Sequence, residues 1–558
     1  MTDDVQITHS DLASNDSLRR LMSDRAVYTP TDNQHKAIAD YMRHYLQKLG
    51  AEHTHPQPTA FGWQKELSLD LPINEQIIEF VVGHTRYSRM KVDDEWVVQS
   101  NPIYPANNMT QFASHMKPKG TLEGWATAAH WYRDEFAGKQ IAAVLLTFGS
   151  PFMCFLKKSG VITLLRGQTG IGKSGVLQLA ASAWASNGYV IAGKSSYTGM
   201  ETVAGTLNNL PVVCDDRPEM KDEEISAEIL MLANGKSKTR ARLGGGGISS
   251  VTTDHIISWL SNSLMSSNKS WIEILTRNKL EIEGETGRMI ELEMTRVTRE
   301  QWLSVGGDNS ERDYNQLLAT NHGVVGPAMI QEFLRDPAAY IEELHAIEFS
   351  IMQLCTAKAA AFEGHFRGVD PTNYRLQVAA FACALLALKI LRKLNLVQWK
   401  RVTINKVMFD SISNTCRIIN DGRPDKQDIL AMYLNEFHGN LVIVTAEGVR
   451  LGSTTGDADP QMLGKLPVTK IVGRIDHTTQ ITYLDRAAFK FWINSKGMAE
   501  SNVLSGLAAE GWIVKSARDT KITLGKGFSA TSKLQSRVIE LHNPKLFAQY
   551  AVPPTLKD

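Results

Sequence analysis

The sequence predicts an α/β chain organised around a strand–glycine loop–helix core. A β-rich unit precedes that core, a helical region follows it, and two helices with a hairpin close the chain. Three observations carry this prediction. The run Gly167-Gln168-Thr169-Gly170-Ile171-Gly172-Lys173-Ser174 fits G-x-x-x-x-G-K-[ST], with an apolar stretch before it at 161–165 and a helix-like stretch after it at 175–185. A second apolar run, Leu210-Pro211-Val212-Val213-Cys214, ends in Asp215 and Asp216. The chain is 43% hydrophobic and 21% charged over 558 residues, which fits several packed units and excludes a disordered or fibrous chain.

Taken in order, residues 1–59 are polar, with one helical stretch at 34–49 and a proline-bearing linker at 53–59. Residues 60–120 read as β-rich, with short strands at Phe80-Val81-Val82-Gly83 and Trp96-Val97-Val98. A helical collar is expected over 121–159, from the stretches 122–136 and 141–156. The glycine-loop core occupies 160–312, and a helical region occupies 313–400, where Pro327 and Pro337 stand at expected helix starts. Residues 401–480 read as a mixed connector, with a helix at 428–437 and a strand at 440–444. Residues 481–558 give helices at 485–495 and 499–510. A hairpin of 512–515 with 520–524 around Ala517-Arg518-Asp519 then completes the outline of a winged helix.

The apolar runs 141–156 and 378–388 are shorter than the ~20 residues a membrane-spanning helix needs, so both are expected as buried helices, with no membrane partner. The formal net charge of +1 gives no global basic field, so a nucleic-acid contact must be a local patch. The five cysteines form no C-x-x-C pair, which argues against a zinc site and for reduced thiols in a cytoplasmic protein.

The residue types in the core point to nucleoside-triphosphate chemistry. Glycines let backbone N–H groups of Gly167, Gln168, Thr169, Gly170, Ile171 and Gly172 turn inward on phosphate oxygens, and a helix N-terminus adds partial positive charge. Lys173 would reach the β- and γ-phosphates of ATP, and Ser174 would hold Mg²⁺. Asp215 would hold Mg²⁺ through water, and Asp216 would orient the attacking water, with Glu219 as its substitute. The run 254–263 reads as a further strand whose tip, Asn262, would sense the γ-phosphate. Lys236, Lys238, Arg240 and Arg242 alternate with small residues before four glycines. That spacing places them on one face of an extended strand, where they would attract a polyanion or blunt a sheet edge. Arg288 precedes an apolar strand and would serve as an arginine offered to a neighbouring subunit, with Arg240 and Arg242 as competitors. Arg518 and Lys521 belong to a locally basic C-terminal end suited to DNA or to protein docking.

Together these residues resemble a phage and mobile-element helicase family whose motifs are close to superfamily 3 and AAA+ ATPases. The similarity lies in Phe61-Gly62-Trp63 with Phe80-Val81-Val82-Gly83, in Gly120-Thr121-Leu122-Glu123-Gly124-Trp125, in the glycine loop with Gln178-Leu179-Ala180-Ala181-Ser182, in Leu232-Ala233-Asn234-Gly235-Lys236 and in Gly287-Arg288-Met289-Ile290-Glu291-Leu292. The chain departs from that family at Asp216, where glutamate is usual, and around Asn262. The resemblance implies an AAA+/superfamily 3-like P-loop core in a hexameric ring that uses ATP and Mg²⁺ to move along single-stranded DNA. It further implies a primase or polymerase as replisome partner, and a bacterial host cytoplasm if phage-encoded. The same residues also suit an origin initiator or DNA-loading ATPase without strand separation, or a non-catalytic binding protein.

Overall fold

The computed structural model describes residues 58–542 apart from 65–72, 94, 218–219, 238–240, 244–250, 254–257, 279–281, 307–309, 361–370, 423–425, 446–447, 452–470, 497–499, 510–511, 516–520 and 527–534, together with a few positions between 36 and 44. It is a mixed α/β structure. Strands β1 (Gly62–Trp63), β2 (Ile78–Val82), β3 (Thr85–Val92) and β4 (Glu95–Pro102) form an antiparallel sheet in that order. The β2–β3 turn is a tight one through Gly83 at φ +58, a value that suits glycine. The sequence reading missed β3, because arginines interrupt its apolar pattern. The fold buries them nonetheless: Arg86 pairs with Glu79 at 3.6 Å, and Arg89 lies 4.1 Å from the Trp96 ring centre.

Strands β5 (Ile162–Arg166), β6 (Ile191–Ala192), β7 (Val212–Asp215), β10 (Ser263–Ser267) and β11 (Met289–Glu293) make a central parallel sheet in the order β11-β5-β10-β7-β6. Between β7 and β10 the chain makes a small antiparallel pair, β8 (Ala241–Leu243) with β9 (Val251–Thr253). Helices cover both faces of the central sheet, which explains its continuous apolar runs. The apolar run 141–156 folds into the helix Gly138–Phe148 and the short turn Ser150–Leu156, both inside the core. The helix Arg375–Lys393 is buried on nearly every side, as an all-round apolar helix must be. The two helices cross closely at Gly149, where a Cβ would lie 2.7 Å from the Cys383 backbone. Among the described residues no single helix is long and apolar enough to cross a membrane.

The N-terminal sheet shares its core with the central sheet and the helical region. Trp63 contacts Phe80, Phe155 and Phe333 and donates its indole N–H to the Pro151 carbonyl at 2.7 Å. A second core begins at Ile429, so the expected connector 401–480 divides: the helix Arg401–Gly422 packs into the first core and the helix Lys426–Glu436 into the second. That second core holds β12 (Leu441–Thr445), β13 (Gly448–Leu451), β14 (Gly473–Asp476), β15 (Ile481–Asp485), β16 (Ile513–Lys515), β17 (Lys521–Ile522) and β18 (Ser536–Leu541), in one sheet ordered β13-β12-β14-β15-β18-β16 with β17 also on β18. The two expected helices are present as Arg486–Ser495, capped by Asp485, and Glu500–Ala509. The expected hairpin is corrected. β16 and β17 each pair with β18 rather than with one another. The physical reason is length: strands of three and two residues gain more against β18, whose Val538, Ile539 and Leu541 are buried.

Candidate active site at the carboxyl ends of the parallel strands

The connection from β5 runs past β10 and β7 to β6, and the connection from β10 runs back past β5 to β11, so the two adjacent strands send their connections in opposite directions along the sheet. In open α/β sheets that divergence opens a crevice at the carboxyl ends of the strands. The glycine loop follows β5 at this point. Gly167, Gly170 and Gly172 have φ of +151, +81 and +93, and a Cβ added at Gly170 or Gly172 would meet nothing within 4 Å. The loop backbone is therefore open to space at Gly170 and Gly172, while Gly167 packs closely on Ile171. The helix Lys173–Ser182 begins at its end, with first-turn N–H groups facing outward and Ser174 exposed. Tyr314 holds that first turn by donating to the Gly175 carbonyl at 2.8 Å, within a cluster of Trp131, Tyr132 and Trp302. Open left-handed glycines leading into a helix N-terminus fit a polyphosphate.

Lys173 spends its three protons on the Gly167 carbonyl, the Gln168 carbonyl at 3.0 Å and Asn268 Oδ1 at 2.9 Å. Burial lowers its pKa, and the charges of Asp215 and Asp216 oppose that shift. Asp215 ends β7 and accepts a hydrogen bond from the Ser266 hydroxyl at 2.6 Å. Asp216, exposed, has φ +52, a strained conformation of the kind that gathers at functional sites. Glu219 lies outside the described residues. The next residue, Arg217, is buried against Glu228 and the Gly193 carbonyl, and anchors the turn from below. Ser174 and Asp215 are the groups that would hold Mg²⁺. The described residues contain no cluster of three or more His, Cys, Asp or Glu that could hold a metal by itself. A cleft of about 720 Å³ opens beside the loop, lined among others by Gln168, Lys221, Asn268 and Glu273.

Arg166, the last residue of β5, fixes the entry to the loop through Glu273 at 2.7 Å, Glu291 at 3.2 Å and Glu293 at 2.9 Å. Glu291 also accepts from the Trp271 and Ile272 amides and so caps the helix Trp271–Asn278. Burial pushes its carboxyl up to about 7, against the pull of Ser270 and Arg166. A carboxyl raised in the folded state binds more protons than its unfolded counterpart between its ordinary 4.5 and about 7, so its contribution to stability falls as pH rises through that window. Glu291→Gln is expected to flatten this part of the profile, measured by denaturant unfolding at pH 5 and pH 7.5. An identical slope in both proteins would refute the assignment.

The structure moves Asn262 out of the site. It precedes β10, at the end of the sheet opposite the loop, and is 1% exposed. Its Oδ1 accepts from the Val161 amide at 3.2 Å, its Nδ2 donates to the Leu146 carbonyl at 3.0 Å, and its amide donates to Ser150 Oγ at 2.9 Å. It staples the base of the sheet. The residue at the strand tip is Asn268, which the sequence reading missed. The apolar run up to Leu260 suggested the strand, whereas the strand that forms is the serine-rich Ser263–Ser267. The available signal was its small polar end, Ser266-Ser267-Asn268. Asn262→Ala is expected to cost about 2 to 3 kcal/mol of stability by orphaning buried groups, while sparing the site. Thermal unfolding alongside nucleotide affinity checks this.

Arg288 stands at the start of β11 and donates to the Gly284 carbonyl at 2.7 Å. Five residues of strand, about 16 Å, separate it from the loop end of the sheet, too far to serve its own site. Lys236 is exposed and bridges to Ser258, and Arg242 lies on β8 opposite Thr252. Lys238 and Arg240 lie outside the described residues, as does Arg518; Lys521 is exposed on β17.

A family model described as "Domain of unknown function (DUF927)" matches residues 12–249, which take in the N-terminal sheet, the glycine loop and the Asp215–Asp216 turn. No curated protein matches the chain. Among solved structures, the chain is similar to one described as "SCCmec type IV Cch - active helicase", at a TM-score of 0.60 and 13% identity, over 99% of this chain and 90% of that one. At that identity the likeness is one of fold, and it extends over both cores.

Proposed function

We propose that this chain is an ATP-driven DNA helicase of mobile-element type, with a P-loop core of the AAA+/superfamily 3 kind. The observation that carries the reading is the convergence of the glycine loop, Lys173, Asp215, Asp216 and Asn268 at one end of a parallel sheet, with Lys173 already touching Asn268. The fold likeness to a protein described as an active helicase supports it. Bound ATP with Mg²⁺ supplies the phosphoryl group and its charge. The loop amides and Lys173 would hold the phosphates, Ser174 and Asp215 would hold the cation, Asp216 would orient water, and Asn268 would position Lys173 through the hydrogen bond it already accepts.

Coupling to DNA follows from the helix Asp222–Asn234. It starts just past the Asp216 turn and leads, ~20 Å away, to Lys236 and on to the β8–β9 pair that carries Arg242. A shift at the carboxylates would reach Lys236 and Arg242 through this helix, and these residues, with Lys238 and Arg240 of the same stretch, would track a single strand. Arg288, remote from its own chain's glycine loop, would act on a neighbouring copy if the chain assembles as a ring. The two-helix unit with Lys521 and Arg518 would contact DNA or a replisome partner.

Purified protein is tested on a forked duplex with ATP and Mg²⁺. Strand separation that requires hydrolysis is expected. ATP turnover with DNA binding and no separation would instead indicate an initiator or DNA-loading ATPase, and absence of turnover would remove the motor reading.

A further inference from the structure

We propose that Ser266 is the positioning residue that holds the two strand-end carboxylates in register with the glycine loop; the inference rests on the ATPase reading above. Ser266 is 1% exposed, in the middle strand between the loop strand β5 and the carboxylate strand β7. The paired register of β10 with β7 ends at Met265 opposite Cys214. One residue later the Ser266 side chain takes over. Its hydroxyl donates to Asp215 Oδ1 at 2.6 Å and accepts from the Asp216 amide at 2.8 Å, while its carbonyl accepts from the Arg217 amide at 2.9 Å.

Three consecutive residues of the turn are thus tied to one serine. The tie matters most at Asp216, whose φ of +52 persists only where the surroundings over-determine it. The hydroxyl is suited to the task. It donates to one carboxylate and accepts from the next residue's backbone at once, and the bond to an ionised group is of the stronger kind. Two residues further along the same backbone, Asn268 receives Lys173. The segment Ser266-Ser267-Asn268 therefore measures the separation between the lysine and both carboxylates. Ser266 touches no reacting atom and acts through Asp215 and Asp216.

The test compares the full-length wild type with Ser266→Ala, Ser266→Thr and Ser263→Ala, the last a buried serine at the far end of the same strand. Two quantities are measured: steady-state ATP hydrolysis, and affinity for a non-hydrolysable ATP analogue with and without Mg²⁺. For Ser266→Ala, kcat is expected to fall about ten- to a hundredfold with KM for ATP held within about twofold. The Mg²⁺-dependent gain in analogue affinity should shrink as well, because Asp215 loses its orientation. Ser266→Thr keeps the hydroxyl and should recover most of both losses, and Ser263→Ala should match the wild type.

Unchanged kcat and unchanged Mg²⁺ dependence in Ser266→Ala overturn the proposal. So does a uniform loss of analogue affinity, with or without Mg²⁺, that Ser263→Ala shares, since packing alone would then account for it. A wild type that binds the analogue and hydrolyses no ATP removes the ATPase reading, while the affinity comparison still decides the role of Ser266.

Discussion

Lys173→Ala is expected to lower ATP hydrolysis by about 10²- to 10³-fold, the usual cost of removing one preorganised charge from a developing transition state. The fold should survive. The Lys173 ammonium binds two carbonyls of its own loop and the exposed Asn268, so its removal leaves no buried partner stranded. Stability should therefore stay within about 0.5 kcal/mol of wild type. The three bonds also predict how the loss divides. To reach a phosphate, the lysine must exchange the Gly167 and Gln168 carbonyls for phosphate oxygens, a cost the alanine variant does not bear. Binding should consequently weaken less than turnover. Parallel measurement of analogue affinity and of kcat checks this, and equal losses in the two would place Lys173 in simple binding.

The second large effect is expected at Asp216. Asp216→Asn keeps the shape and also tolerates the left-handed backbone, so the turn should be retained. It removes the charge that would orient water and take its proton. A fall of about 10²- to 10⁴-fold in kcat is expected with nucleotide affinity preserved. Asp216→Gly should separate strain from chemistry. It relieves the positive φ and should raise thermal stability by about 1 kcal/mol, with turnover as low as in the asparagine variant. Turnover surviving either change would pass the role to another carboxylate.

Much of this molecule was legible in its residues. The glycine loop announces itself because a left-handed loop entering a helix tolerates few residue types, and Gly170 and Gly172 have the positive φ their identity implies. The apolar runs at 161–165 and 210–214 read as strands because both faces of the central sheet are covered. The helices Arg486–Ser495 and Glu500–Ala509 were visible as two helical stretches either side of a turn containing Gly497. Other features were not legible. β3 carries arginines whose burial rests on partners on the neighbouring strands, Glu79 and Trp96 among them. The strand Ser263–Ser267 has too little apolar character to stand out beside the run before it, so Asn262 took the place that belongs to Asn268. β18, whose partners lie on both sides of it in space, rearranged the expected C-terminal hairpin.

Local chemistry alone therefore determined which residues form the loop, the acidic strand end and the main helices, because each depends on neighbours within a few positions along the chain. Which strand lies between β5 and β7, which asparagine meets Lys173, and where the second core begins were decided by tertiary structure. Those choices rest on pairings and burial between residues many tens of positions apart, whose free energy no short window of sequence contains.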